Sequence, residues 1–438
     1  MANPIPNLFR IPELKEKILF TLLALLLYRV GAHITAPGVD VQALKAMVGS
    51  LQGTLFGVYD MFVGGALGRA TVMSLGIMPF ISASIMFQLL AAVFPTLEKM
   101  QKEGEEGRKK LTQWTRYATV GLALMQAYGY GIWLKSTPGV VQISGFTFML
   151  STSLVMTTGA IFAMWLGEQI TERGIGNGAS LLIFFSIIEG FPGAIGKTVE
   201  ALTTGVINLF QLVGLLIAMV VIVGGVVAMT MAVRRIPVQI PRKVIGRGRV
   251  REGQKSFIPL RLNSAGVMPI IFAQSLIIVP GTVAQFSNAG FLRTISDALQ
   301  PGSWLYSILY GVLILLFTYF YTAIIFNPVD LSENLRKQGG FIPGVKPGAR
   351  TAEYIDHVLT RVTLPGAIYL AVIALLPFLI FGIFNVGNLF FFGGTSLLIV
   401  VGVALDTVQQ MQQHMMLRHY EGFMKKGRVR FRGRQRYM

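Results

Sequence analysis

Ten apolar stretches recur along the chain, near residues 18–34, 74–94, 116–134, 147–167, 179–196, 206–232, 265–283, 304–326, 362–384 and 394–413. A run of roughly 20 apolar residues crosses the hydrocarbon core as a helix. In lipid a backbone must satisfy its own N–H and C=O groups, which leaves helices or a closed barrel, and runs of this length select helices. The expected fold is therefore an all-α integral membrane protein with ten transmembrane helices. Composition agrees, since 53% of residues are hydrophobic and only 13% charged, a balance foreign to water-soluble globules. Cysteine is absent, which excludes disulfides, thiolate nucleophiles and Cys-ligated zinc or iron–sulfur centres. His33, His357, His414 and His419 form no HExxH or HxH pattern, so no metal or other cofactor is expected.

An even number of crossings places both ends on one side, and the basic residues say which. The segment 1–17, the even-numbered loops and the C-terminal tail hold 32 of the 38 Lys and Arg. The odd-numbered loops hold only Lys45, Arg69, Lys135, Lys197 and Arg293, and Arg29 lies within the first helix. By the positive-inside rule both termini are cytoplasmic. No small-x-small cleavage site follows the first apolar run, which reads as a retained helix. The net charge of +18 is concentrated in cytoplasmic segments. Loop 233–262 carries nine basic residues and one acid, with "RRIPVQIPRKVIGRGRVREGQK" at its heart, and the tail from Arg418 carries eight more. Topogenic charge and anionic-lipid contact account for such a pattern; so does docking of an acidic partner such as ribosomal RNA by a flexible basic loop. A loop this long exceeds what orientation alone requires, which favours docking.

Five helices per half is an odd number, so duplicated halves would lie in opposite orientations. The second helix opens "SLGIMPFISA" from Ser74 and the seventh "SAGVMPIIFA" from Ser264; the fifth opens "GASLLI" from Gly178 and the tenth "GTSLLI" from Gly394. These are corresponding members of two halves. The matches pair Ile81 with Ile271 and Ile183 with Ile399, and opposed orientations bring all four towards the middle of the membrane. Apolar packing accounts for such residues; so does a constriction that dewets and blocks ions without a charged filter. Pro79 and Pro269 fit the first turn of their helices, where the missing N–H costs nothing, and Gly76 and Gly266 loosen the chain beside them. A further oddity lies between Asp60 and Arg69: an apolar stub too short to span and too greasy for water. It avoids both lipid and water only inside a cavity of the protein.

The strings "YDMFVGGALGRATVMSLGIMPFISASI" from Tyr59, "WLGEQITERGIGNG" from Trp165, "FIPGVKPGARTAEYI" from Phe341 and "FFGGTSLLIVVGVALD" from Phe391 closely resemble the SecY family of protein-conducting channels, in order and over nearly the whole chain. The resemblance implies a SecY-like fold of two inverted halves, 18–196 and 197–413, between a cytoplasmic segment 1–17 and a basic tail 414–438. It implies that the stub, about 57–68, is a plug that rests in a funnel. Its residues are Gly57, Asp60, Met61, Phe62, Val63, Gly64, Gly65, Ala66, Leu67, Gly68 and Arg69. The family's pore ring falls on Ile77, Ile81, Ala179, Ile183, Ile271 and Ile399, with Ala179 smaller than the usual aliphatic residue. The lateral gate, through which signal sequences and nascent membrane helices reach lipid, matches Ser82 and Val279.

In the cytoplasmic loop 327–361 the resemblance implies docking of ribosomes and of the motor ATPase SecA, with Lys346 where Arg is usual and Arg350 four residues on. Arg247, Arg249 and Arg251 of loop 233–262 are further docking candidates. The family implies a SecE-type and a SecG-type subunit and a bacterial plasma (inner) membrane location. Glu172 and Arg173 read as structural, and Asn177 as the cap of the fifth helix.

The expected function is passive conduction of unfolded polypeptide and not an enzyme reaction, because no GxxxxGK[ST] phosphate loop supplies energy. A secondary transporter is the alternative class. It requires ionisable groups near the membrane centre, and the chain offers Asp406, with Arg29, Glu168 and Glu189 towards helix ends. No serine–histidine, paired-aspartate or metal motif supports an intramembrane hydrolase.

Overall fold

A computed structural model describes residues 12–51, 54–142, 145–239, 244–245, 249–250, 255–286, 298–384 and 394–426. The first half consists of α1 (Pro12–Gly31), α2 (Val41–Ser50), α3 (Leu55–Phe62), a single 3-10 turn at Leu67–Arg69, α4 (Met78–Val93), α5 (Pro95–Lys102), α6 (Glu105–Ser136), α7 (Phe146–Arg173) and α8 (Gly178–Thr203). The second half begins with α9 (Leu209–Met231) and the strands β1 (Val233–Gln239), β2 (Val244–Ile245), β3 (Arg249–Val250) and β4 (Lys255–Arg261). It continues with α10 (Met268–Phe286), α11 (Trp304–Ile325), α12 (Pro328–Lys337), α13 (Ala349–Phe384) and α14 (Gly394–Lys426).

Each of the ten apolar runs falls on one of α1, α4, α6, α7, α8, α9, α10, α11, α13 and α14. Among the described residues, five helices are long and apolar enough to cross a membrane, or six if α4 and α5 count as one span bent by 109°. Others are diluted by polar residues, α6 for example by Gln126, Tyr128 and Tyr130. Large apolar side chains such as Leu22, Leu26, Val220 and Val221 are exposed on α1 and α9, where lipid is the solvent that accepts them.

The packing partners repeat between the halves. Within the first half α4 packs on α6, α6 on α7, α7 on α8, and α1 on both α7 and α8. In the second, α10 packs on α11, α11 on α13, α13 on α14, and α9 on both α13 and α14. These are the same pairs at corresponding places, and the halves meet where α4 touches α10 and α8 touches α14. Those junctions join the helices whose opening sequences are duplicated. The duplication extends to the backbone. Gly76 and Gly266 both lie at positive φ, 53° and 64°, a conformation that costs an L side chain steric energy. Each ends an irregular turn, so α4 and α10 begin at Met78 and Met268, later than the apolar runs do.

Some elements differ from expectation. The base of loop 233–262 is a paired ribbon, not a flexible loop: β1 and β4 form an antiparallel ladder from Val233↔Arg261 to Gln239↔Lys255. Its alternation buries Ile236 and Val238 against Leu260, Ile342, Ile355 and Leu359. Gln239 exchanges backbone hydrogen bonds of 2.9 Å with Phe341, so loops 233–262 and 327–361 make one platform. The amphipathic α2, capped by Asp40, and the extension of α13 back to Ala349 were also outside the expected spans.

Close backbone approach fixes several glycines. A Cβ on Gly159 of α7 would fall 1.8 Å from the Val72 carbonyl oxygen, in the segment that leads from the 3-10 turn to α4. Nothing lies within 4 Å of such a Cβ on Gly121 of α6. Gly159→Ala is expected to destabilise the protein by about 1–3 kcal/mol through forced backbone movement, read as a lower melting temperature in detergent. Gly121→Ala should leave it unchanged or raise it, because alanine is the better helix former.

Candidate functional site

The six expected ring positions are near one another in sequence only in pairs, and the packing of α4, α8, α10 and α14 gathers them. Ile77, Ile81, Ile183, Ile271 and Ile399 are all buried in one apolar cluster, and the half-buried Ala179 packs against it. Asn177 sets the position of α8 by accepting a hydrogen bond of 3.1 Å from the Ser180 N–H, the cap expected from sequence. Ile77 caps α4 and accepts the Ile81 N–H at 3.1 Å. Gly167 of α7 allows the Ile77 side chain to lie against its backbone, 2.8 Å from where a Cβ would be.

Beside this cluster lies a cavity of about 300 Å³. Ile81, Ala179, Ile183 and Ile271 form part of its wall, together with Gln88, Asn177, Ser180 and Tyr321. An Arg116–Glu168 pair joins α6 to α7 at its rim with two hydrogen bonds, 2.9 and 2.8 Å. Ile77 and Ile399 are not part of its wall.

The stub lies on the other side of the cluster. Along α8 the contacts run from the cavity at Asn177 to Ile183, then to Ser186 and Glu189, which border the Gly64 turn of the stub. Along α10 they run from the cavity at Met268 and Ile271 to Gly281, where a Cβ would fall on Leu55. Along α4 the order reverses: Leu75, just before the helix, accepts a hydrogen bond from Tyr59 of the stub, and the cavity follows at Ile81 and Gln88. The isoleucines therefore separate an open cavity from a buried stub.

The stub is a helix at Leu55–Phe62 followed by a glycine turn and a 3-10 turn, so it starts earlier than Gly57 and is not one continuous helix. The break has a cause: Gly64 and Gly65 both take positive φ, 71° and 72°. Phe56 packs its ring 4.9 Å from that of Trp133, and Leu55, Phe56, Tyr59, Phe62, Val63, Ala66 and Leu67 are buried. Tyr130 of α6 donates to the Leu67 carbonyl at 2.6 Å. Asp60 accepts the Gly68 N–H at 2.7 Å and so closes the stub on itself. Burial pushes the Asp60 carboxyl up to about 6, against the opposing pull of the Gly68 N–H and the nearby Arg69 charge.

The other expected residues are dispersed. Ser82 of α4 is half-buried and donates to the Met78 carbonyl of its own helix at 3.0 Å, while Val279 lies within α10, which packs against α4. Lys346 and Arg350 are exposed in the platform beside turns with Gly344 and Gly348 at positive φ. Arg249 lies in β3; Arg247 and Arg251 lie outside the described residues. Asp406 borders the turn before α10, its Oδ2 3.2 Å from where a Gly266 Cβ would be.

Sequence reasoning missed Glu189. Counted as a helix-end residue, it lies near the middle of α8 and pairs with Arg29 of α1 and Arg69 of the stub. Its only sequence signal was a carboxylate inside an apolar run.

A profile of the SecY family matches residues 71–408. The protein translocase subunit SecY of Escherichia coli K12 is 46% identical over 431 residues, covering 96% of each chain. That of Aquifex aeolicus is 43% identical over 432 residues, covering 97% of this chain and all of the relative. Among solved structures, one described as a protein conducting channel superposes with a TM-score of 0.67 at 17% identity, over 98% of this chain and all of the other. A second, described by the statement that the plug domain of SecY stabilises the closed state and maintains a membrane seal, gives 0.65 at 18% identity with the same coverage.

A buried carboxyl raised to about 6 binds a proton in the folded protein that the unfolded chain has already released. Its contribution to stability is therefore present at pH below about 4 and lost as pH rises through about 6. Asp60→Asn keeps an oxygen for the Gly68 N–H and carries no charge to bury. Its melting temperature should gain on that of the parent by a few degrees between pH 4.5 and 7. A difference that is constant across this range would show that Asp60 is not held protonated by burial.

Proposed function

Because this chain belongs to the SecY family of protein translocase subunits, we propose that it forms the pore of a Sec translocon, a channel that conducts unfolded secretory polypeptides across the bacterial plasma membrane. It is a channel subunit, not an enzyme, so the driving force comes from a ribosome or a SecA motor on its cytoplasmic side. The observation that carries this reading is the order of contacts along α4, α8 and α10: cavity, isoleucine waist, buried stub.

In this reading Ile77, Ile81, Ala179, Ile183, Ile271 and Ile399 form the constriction. Narrow apolar walls hold no stable water column, so ions are blocked without a filter charge, while a polypeptide displaces the side chains as it enters. The stub is the plug, a second barrier on the far side of the waist. A plug must be displaceable, and Gly64, Gly65 and Gly68 weaken it as a helix. The lateral gate is the seam between α4 and α6 of the first half and α10 and α11 of the second, at Ser82 and Val279. Apolar signal sequences and nascent membrane helices leave through it because each central Leu, Ile, Phe or Val favours lipid by about 0.3–0.6 kcal/mol.

Both termini are cytoplasmic, which puts the platform of loops 233–262 and 327–361 on the side from which polypeptide arrives. Lys346, Arg350, Arg247, Arg249 and Arg251 dock the ribosome and SecA there; Lys346, with a compact ammonium, cannot form the bidentate fork of an arginine. SecE-type and SecG-type subunits complete the channel.

A secretory polypeptide stalled in mid-export should crosslink to photoreactive groups at positions 81, 183, 271 and 399, and not to groups at the lipid-exposed positions 22 and 220; the opposite pattern removes the pore. Ile81→Asn and Ile399→Asn should each admit water, raising the ion leak of the resting channel several-fold and increasing export of substrates with defective signal sequences. No change in either quantity for both variants would reduce the waist to ordinary packing.

A further inference from the structure

Glu189, near the middle of α8, lies in a polar cluster that joins α8 to α1 and to the stub. Arg69, at the end of the stub, donates from Nη2 to the Gly64 carbonyl at 2.8 Å and from Nε to the Gly65 carbonyl at 2.9 Å. It thereby holds the two positive-φ glycines in their turn. The same Nη2 lies 3.3 Å from Glu189 Oε1 on α8, and the other carboxylate oxygen pairs with Arg29 of α1. Nη1 of Arg69 is 3.1 Å from His33 Nε2, and His33 Nδ1 is 3.0 Å from the Arg29 carbonyl. An arginine only donates, so Nε2 accepts and the proton of this neutral imidazole is on Nδ1, directed at that carbonyl. The Gly64 turn lies directly on α8, where an added Cβ would come 3.1 Å from Glu189 Oε2 and 3.3 Å from Ser186 Cα.

The charge count gives the cluster its logic. Two guanidiniums, one on a membrane helix and one on the stub, converge on a single carboxylate. All three side chains are largely shielded, with 29%, 21% and 19% exposure for Arg29, Arg69 and Glu189. With Glu189 ionised the arrangement is attractive. Without its charge, Arg29 and Arg69 repel one another in a medium that screens poorly, and the stub is the only one of the three elements not anchored as a membrane-spanning helix.

We infer that Glu189 is a positioning residue that latches the plug shut, clamping Arg69 of the plug to Arg29 of α1. It sets how strong a signal sequence must be to open the channel. This inference rests on the reading of the stub as a plug. The latch is one charge-assisted hydrogen bond, from Arg69 to Glu189, and one ion pair, between Arg29 and Glu189, at the edge of the plug, so a polypeptide or a signal sequence that shifts α8 relative to α1 breaks it without unfolding the plug.

The test uses the full channel complex reconstituted in vesicles and, in parallel, in cells. Glu189→Gln should raise resting ion leak several-fold. It should also increase export of a substrate with a defective signal sequence several-fold while leaving a substrate with a normal signal unchanged. A variant that merely folds badly lowers export of both, so the opposite signs separate latch from scaffold. In a double-mutant cycle, Glu189→Gln should add little to Arg69→Gln, because the arginine variant has already removed the contact that Glu189 makes with the plug. Deletion of residues 57–68 is the reference. If the deletion raises leak but Glu189→Gln does not, the latch is wrong and the plug stands. If neither raises leak, the plug reading falls and the latch with it.

Discussion

An eight-residue helix is too short to cross a bilayer, and its unpaired backbone ends are too polar to face lipid; the molecule is arranged around that constraint. Leu55–Phe62 and the turn after it need a protein-lined cavity that is apolar at its wall and able to meet exposed N–H and C=O groups. The two halves supply it together: α6 and α8 from the first, α10 from the second. The backbone groups of the stub are met by Tyr130, Asp60, Ser74 and Arg69, each a polar side chain that an ordinary membrane core would exclude. One continuous apolar cluster contains residues of both halves and of the stub, so the element is seated in the core that the halves share.

The interactions that hold the stub are of two kinds. Its aromatic and aliphatic side chains fill the cavity and gain dispersion and burial. Its charges and glycines limit that gain: Asp60 is buried against its preference for water, and positive-φ turns at Gly64 and Gly65 interrupt the helix. An element built in this way is seated by burial but limited in how firmly it is held, which suits the plug proposed for it. The waist has no such compromise. Five of its side chains are at most 4% exposed, and they come from four helices of the two halves, so in the proposed channel parting the halves would widen the constriction without unfolding any of them.

What could be read from the sequence was whatever local pattern determines. The apolar runs located the membrane helices, and the twin strings at Ser74 and Ser264 located the symmetry, because a duplicated turn keeps both its glycine and its proline. Ile81, Ile183, Ile271 and Ile399 came from the same repeat and do share one cluster. Lost to that approach were features created by contacts distant in the chain. Glu189 meets Arg69 across 120 positions and only because the stub folds back. The β1–β4 ribbon was hidden by its charge: Arg234, Arg235 and Lys255 suggested a solvated loop, while alternate residues Ile236 and Val238 face the second loop. The ends of helices were misjudged where Gly76 and Gly266 hold the chain out of the helical conformation for one more turn.

The platform continues directly into the helices of the second half. β1 leaves α9 after a single residue, and β4 returns towards α10, with the Leu262 N–H bonded to the Ala232 carbonyl at 3.0 Å where the ribbon begins. On its other flank, Phe341 pairs with Gln239 and the buried Ile355 and Leu359 of α13 pack beneath the strands. α12 joins α11 through the capped turn at Asn327. A load applied to the ribbon is thus delivered to α10, α11 and α13, while α4 sits across the seam in the other half and is tied to the platform by no strand. In the proposed channel, force on the second half alone would part α4 from α10, and a partner gripping the ribbon would act on the gate without touching the pore.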